Sequence, residues 1–329
     1  MEFKAMQAEE VAPKQFTRSI VTRSVGDLPA GDLLIRVLYS SLNYKDALSA
    51  LGRPGVTRRY PHTPGIDAVG NVVSSADQRF TPGEMVLVTG YDLGMDTAGG
   101  FGQYIRVPAD WALAVPAGLS ARQSMIYGTA GLTAGLCVHK LRLAGVTPEK
   151  GDVVVTGATG GVGCLAVAIL ARLGYRVIAA TGKSGEADFL HSLGAAELIG
   201  REDLLAGADR PLMKERFAGA IDVVGGTTLA AVLKATRYGG SVTCCGLAGS
   251  PDLPATVLPF ILRGISLLGV DSVQCPSSLR RQVWQHLAED WRPAALDDVA
   301  VECTLETLEP HIQAIIKGSV RGRVVVSLA

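Results

Sequence analysis

The chain has 329 residues, enough for two domains with separate cores. Lys+Arg and Asp+Glu both number 31, and the resulting zero net charge removes any general electrostatic case for nucleic acid or an anionic membrane. No apolar run reaches the length of a bilayer span, and the N-terminus, Met-Glu-Phe-Lys, lacks an apolar signal core, so a cytoplasmic location is expected.

Residues 1 to about 120 are rich in glycine, proline and short β-branched runs. Segments 33–39, 71–74, 84–89 and 103–107 read as strands, with turns at Pro64-Gly65, Pro82-Gly83 and Gly99-Gly100. They predict a compact, mostly antiparallel β domain. Beyond residue 120, apolar helical stretches alternate with strand-like runs at 153–156, 177–181, 197–200, 220–224, 241–245 and 265–270. Strand alternating with helix predicts a doubly wound parallel sheet, so the fold class is α/β. In the first of these helices Val162, Leu165, Ala166, Ile169, Leu170 and Leu173 follow helical spacing, and Gly174 is placed to cap it. Near the C-terminus, amphipathic stretches at 279–287 and 308–316 precede a strand at 322–326, positioned to complete the first domain. The six cysteines form no C-x-x-C pair and sit in apolar contexts, which predicts buried small hydrophobes rather than disulfides or a zinc site.

Residues 152–163 read Asp-Val-Val-Val-Thr-Gly-Ala-Thr-Gly-Gly-Val-Gly. A β-branched strand meets a glycine-dense turn and then an apolar helix. This is how a dinucleotide pyrophosphate is usually held: glycines admit the phosphates, and the helix N-terminus offers free N–H groups. An NAD site usually places an acid at the end of the following strand, for the ribose 2′-hydroxyl. Here that strand ends Ala180-Thr181-Gly182-Lys183-Ser184, and no acid occurs until Glu186. Lys183 would attract a 2′-phosphate, and Thr181 and Ser184 can donate hydrogen bonds to it. NADPH is therefore the expected coenzyme; a plain solvated loop lysine is the alternative reading of Lys183.

Several further segments resemble one family. Ser-Ser-Leu-Asn-Tyr-Lys-Asp (40–46), Pro-Gly-Ile-Asp (64–67), Gly-Thr-Ala-Gly-Leu-Thr-Ala (128–134) and the glycine turn are similar to the medium-chain dehydrogenase/reductase superfamily. Cys-Gly-Leu-Ala-Gly (245–249), Pro-Phe-Ile-Leu-Arg (259–263), Gly-Val-Asp-Ser-Val (269–273) and Arg-Gly-Arg (321–323) resemble its zinc-free acrylyl-CoA reductase and quinone oxidoreductase branch. The resemblance implies a GroES-like, mostly-β catalytic domain over 1–122 and 265–329, with a Rossmann NADPH-binding domain over 123–264. It implies coenzyme contacts at Tyr44, at Gly160, Gly161, Val162 and Gly163, at Gly182, Lys183 and Ser184, and at Arg201, Leu247, Ile261 and Ser272. Relatives typically carry arginine where this chain has Lys183, and asparagine where it has Gly318. Zinc alcohol dehydrogenases of the superfamily place a cysteine and a Gly-His-Glu where this chain has Asn43-Tyr44-Lys45-Asp46 and Gly65-Ile66-Asp67. No metal is therefore expected.

The activity so implied is NADPH-dependent reduction of the double bond of a 2-enoyl thioester, acrylyl-CoA to propanoyl-CoA, by direct hydride transfer. NADPH:quinone reduction and a non-catalytic NADPH-binding redox sensor are the alternatives. The candidate catalytic residues are Asn43, as a donor to a developing enolate, and Tyr44, which could contact the coenzyme, orient substrate or relay a proton. Asp46 reads as a helix cap rather than a base. Arg53, Arg58 and Arg59 form a basic loop that could meet the phosphates of coenzyme A. The resemblance implies a small-molecule enoyl-CoA or quinone as partner and a second copy of the chain paired through an edge strand near 265–270; no nucleic acid or membrane partner is expected.

Overall fold

The computed structural model describes residues 1–183 and 185–328. It divides into two compact units. One holds Met1–Thr129, Val273–Ala288 and the residues from 296 onward; the other holds Ala130–Ser272 and Glu289–Ala295. No helix among the described residues is long and apolar enough to cross a membrane.

The first unit opens with an antiparallel hairpin, β1 (Glu2–Ala12) and β2 (Gln15–Ser24). This hairpin was not foreseen. Only Phe3, Ala5, Met6 and Ala8 of β1 are buried, and none of β2 is, so neither strand shows an apolar run. Next come β3 (Leu33–Ser41), α1 (Tyr44–Ala50), β4 (Asp67–Ser75), β5 (Met85–Thr89), β6 (Tyr104–Val107) and β7 (Ala112–Ala114). The helix α2 (Ala121–Leu143) is interrupted by non-helical backbone at Gly128.

The second unit alternates strand and helix: β8 (Val153–Thr156), α3 (Gly161–Arg172), β9 (Val177–Thr181), α4 (Ala187–Ser192), β10 (Glu197–Gly200), α5 (Arg201–Leu205), β11 (Phe217–Asp222), α6 (Gly226–Ala235), β12 (Thr236–Cys244), α7 (Leu258–Arg263) and β13 (Ser266–Gly269). Its six strands are all parallel, in the order β10-β9-β8-β11-β12-β13. That is the 3-2-1-4-5-6 order of a doubly wound dinucleotide fold, with the reversal between β8 and β11. Every residue of β8 and β11 is buried, as central parallel strands require.

The chain then returns to the first unit with α8 (Ser277–Ala288), β14 (Ala300–Thr304), α9 (Glu309–Ile316) and β15 (Arg323–Ser327). These strands complete a seven-stranded sheet, β14-β15-β3-β4-β5-β7, with β6 paired to β3. All its pairings are antiparallel except β14 with β15. The unit boundaries fall at 129/130 and 272/273 rather than at 122/123 and 264/265. The later second boundary has a plain cause: β13 hydrogen-bonds to β12, so a cut at 264 would remove the sheet's sixth strand. None of the six cysteines is joined in a disulfide; Cys137, Cys164, Cys275 and Cys303 are buried, while Cys244 and Cys245 are half-buried.

Candidate active site

The glycine turn follows β8 at the point where the strand order reverses. Asp222, fully buried at the end of β11, ties this end of the sheet together. It accepts from the Thr156 hydroxyl at 2.7 Å and from the Gly225 N–H at 2.7 Å. Burial pushes its carboxyl above the usual range, and the bonds from Thr156, Gly225 and Val224 pull the other way. A Cβ on Gly163 would run into the Gly157 carbonyl, so only glycine lets α3 start this close to the turn. Gly160 is the N-cap without a side-chain cap, and no acid occupies the first turn of α3. The first intrahelical bond is Cys164 N–H to Gly160 O, at 2.9 Å. The N–H groups of Gly161, Val162 and Gly163 precede it and are therefore available to an anion.

At the end of β9, Thr181 Oγ1 accepts from the Lys183 N–H at 3.1 Å and shapes the next turn. A Cβ on Gly182 would lie 3.1 Å from an Arg201 guanidinium nitrogen. Arg201, first residue of α5, thus lies against Gly182, one residue from Lys183. Burial lowers the Lys183 pKa, and Glu186 opposes that shift. Ser184 lies outside the described residues.

The remaining expected coenzyme positions are scattered. Gly246 packs against the Val223 carbonyl, and Gly249 N–H donates to Val224 O at 2.7 Å, which sets the Leu247 loop beside the end of β11. Leu247 is 61% exposed. Ile261 is 69% exposed on α7. Ser272 is buried and accepts from the Thr133 hydroxyl at 2.8 Å. Gly318 follows α9 with φ +68°, the left-handed residue that ends the helix. Glycine and asparagine share a tolerance for that conformation, which accounts for either residue there.

In the first unit, α1 begins at Tyr44, which is 50% exposed. Asn43 caps it. Asp46 closes a capping box: its Oδ2 accepts from the Asn43 N–H at 2.7 Å, and its Oδ1 from the Ile66 N–H at 2.8 Å. The structure thus gives Asp46 the capping role read from the sequence. Its carboxyl is raised to about 7, first by burial and then by the neighbouring Asp67. Asp67 accepts from Ser41 Oγ (2.6 Å), Asn43 Nδ2 (2.7 Å) and Thr129 Oγ1 (2.6 Å). Arg323, also buried, donates to Asn43 Oδ1 (3.2 Å), Ser41 Oγ (2.9 Å) and the carbonyls of Ile126 and Leu42.

Asn43 therefore has its amide oxygen and nitrogen both engaged inside the protein. It is built in as a support for α1 rather than left open to a substrate. Asp67, Arg323, Ser41 and Thr129 were not foreseen as site residues. All four stood in the quoted motifs, but nothing in those motifs says that β3, β4 and β15 meet at their ends. Arg53, Arg58 and Arg59 are exposed in the loop after α1, and Arg58 is paired with Asp96 at 2.9 Å.

Zinc fits this place poorly. Among the described residues no three His, Cys, Asp or Glu side chains are grouped to hold an ion. Asp46 and Asp67 are surrounded by N–H and O–H donors and by a guanidinium.

A doubly wound dinucleotide sheet inserted between the two parts of a mostly antiparallel β unit defines a GroES-like and Rossmann two-unit protein. Family models agree: "Alcohol dehydrogenase GroES-like domain" matches residues 29–117, and "Zinc-binding dehydrogenase" matches 161–289. Acrylyl-CoA reductase AcuI of Ruegeria pomeroyi is 45% identical over 327 residues, 99% of each chain. YhfP of Bacillus subtilis, which carries a quinone oxidoreductase name, is 47% identical over 99% of each chain; its crystal structure holds NAD and superposes with a TM-score of 0.97. The yhdH oxidoreductase of Salmonella enterica, solved with NADP, is 45% identical over the full length of both chains, with a TM-score of 0.96. The chain belongs to the medium-chain dehydrogenase/reductase superfamily, in the group that contains AcuI and YhfP.

Proposed function

We propose that the protein is an NADPH-dependent reductase of a 2-enoyl thioester, of the acrylyl-CoA class. The observation that carries the coenzyme half is the Arg201 guanidinium against Gly182, next to Lys183, at the strand end where an NAD site would carry an acid. The thioester half rests on full-length similarity to the Ruegeria reductase. NADPH supplies, when bound, the hydride that adds to the electron-poor β-carbon, while the α-carbon takes a proton. The N–H groups of Gly161, Val162 and Gly163 receive the pyrophosphate. Lys183 and Arg201, with Thr181, receive the 2′-phosphate. Leu247, Ile261 and Ser272 complete the coenzyme's contacts.

Tyr44 is the catalytic residue in this reading: its half-exposed phenol touches coenzyme or substrate and delivers or orients the proton. Asn43 works indirectly, holding the first turn of α1 so that Tyr44 keeps its position. The protein acts as a homodimer in which the open edge of β13 pairs with a second copy. Quinone reduction is the second reading, favoured by the name carried by YhfP.

Initial rates of NADPH oxidation separate the two. Turnover with acrylyl-CoA and little with quinones is expected. Turnover with quinones alone would overturn the thioester half, and none with either, despite NADPH binding, would point to a redox sensor.

A further inference from the structure

The first unit contains a cavity of about 630 Å³ that no role assigned above uses. Its volume lies in the range of small-molecule sites. One wall is aromatic: Tyr91 and Trp111 stack with their planes 1° apart and centroids 5.5 Å apart. The wall is held rigidly. The Arg280 guanidinium lies 4.4 Å from the Tyr91 centroid, and Arg280 also donates to Thr89 O and Oγ1. Tyr91 itself has φ +53°, an uncommon conformation for a bulky residue, kept here by its N–H bond to Val273 O. Ser277 and Arg281, four residues apart on α8 and so on one face, line another wall. Arg281 is exposed and has no carboxylate partner among the described residues. Arg79, by contrast, is bridged to Asp77 and Asp110 at 2.7 Å each.

A flat, rigid aromatic shelf with one open cation and a hydroxyl beside it suits a purine carrying a phosphate. The base stacks on Trp111, and Arg281 meets the anion. We propose that this cavity binds the adenosine phosphate end of the coenzyme A thioester. The inference rests on the thioester reading above and moves the nucleotide away from the Arg53–Arg58–Arg59 loop, one of whose arginines is already paired. A quinone has no group that would use the site.

The test compares acrylyl-CoA with acrylyl-pantetheine, which keeps the reacting end and lacks the nucleotide. In Arg281→Gln and Trp111→Ala the KM for acrylyl-CoA should rise about tenfold, with acrylyl-pantetheine kinetics unchanged and Trp111→Phe largely restored. Equal effects on both thioesters, or no effect on either, would overturn the site. Serine at Arg53, Arg58 and Arg59 together should leave the KM for acrylyl-CoA unchanged; a rise confined to that variant would place the nucleotide on the loop instead.

A binding arm does not depend on turnover. With NADPH saturating, adenosine 3′,5′-bisphosphate should quench the fluorescence of Trp111, since Trp284 and Trp291 are buried. The Kd should weaken about tenfold in Arg281→Gln. Absence of quenching in the wild type refutes the site whatever the substrate is. Quenching without thioester turnover refutes the proposed activity alone.

Discussion

Replacing Asp46 with asparagine tests the raised pKa of the buried carboxyl that caps α1. The Asp46 carboxyl is fully buried and raised to about 7 from 3.8, by burial first and by Asp67 second. In the unfolded chain it ionises near 3.8; in the native protein it holds its proton until about 7. Between those values the unfolded state binds fewer protons than the native state, so this group's contribution to stability falls as pH rises and levels off above 7. At about 1.4 kcal/mol per pH unit, the wild type should lose about 2 to 3 kcal/mol through this group from pH 5 to pH 8.

Asparagine cannot ionise, so Asp46→Asn escapes that loss. It also turns an amide N–H₂ toward one of the backbone N–H groups, of Asn43 or Ile66, that the carboxylate accepts from. That mismatch costs about 1 to 3 kcal/mol at any pH. The variant should therefore be clearly less stable than wild type at pH 5, and the gap should narrow by about 2 to 3 kcal/mol by pH 8. Paired urea unfolding curves at the two pH values, followed by circular dichroism, measure the gap. A difference that stays constant, or widens with pH, would refute the raised Asp46 carboxyl.

Two further outcomes concern the coenzyme and the chemistry. Lys183→Glu should raise the Kd for NADPH about ten- to hundredfold by fluorescence titration, since a charge-assisted bond to phosphate is lost and repulsion added, while NADH binding changes little. Equal losses for both coenzymes would return Lys183 to an ordinary loop residue. Tyr44→Phe should lower kcat about a hundredfold with NADPH affinity unchanged, as expected for loss of a proton-transfer group. An unchanged kcat would leave Tyr44 as packing.

The second unit was the more legible half of the chain. Strands at 153–156, 177–181 and 197–200 carry buried β-branched or aliphatic residues flanked by glycine, and they form where expected. The first unit was less so. In its opening hairpin, β1 buries Phe3 and Ala5 and then, with the alternation reversed, Met6 and Ala8, and β2 buries nothing, so period-2 apolar alternation is broken at Ala5-Met6 and absent from β2. The candidate site divides in the same way. Lys183 could be read from a local strand–turn pattern, and Arg201 came from family resemblance. The Asp46–Asn43–Asp67–Arg323 network spans residues 43 to 323, and no local spacing reports that β3, β4 and β15 lie side by side. The commitment of Asn43 to that network followed only from its bond partners. Spacing likewise says nothing of the Tyr91–Trp111 stack, which depends on β5 pairing with β7.

The central claim is direct delivery of hydride to the β-carbon of an enoyl thioester. NADPH carrying deuterium at both nicotinamide C4 positions, turned over with acrylyl-CoA, tests it through the mass spectrum of the product. One deuterium at C3 of propanoyl-CoA, with a solvent proton at C2, is the predicted result; propanoyl-CoA without deuterium, or deuterium at C2, would contradict it.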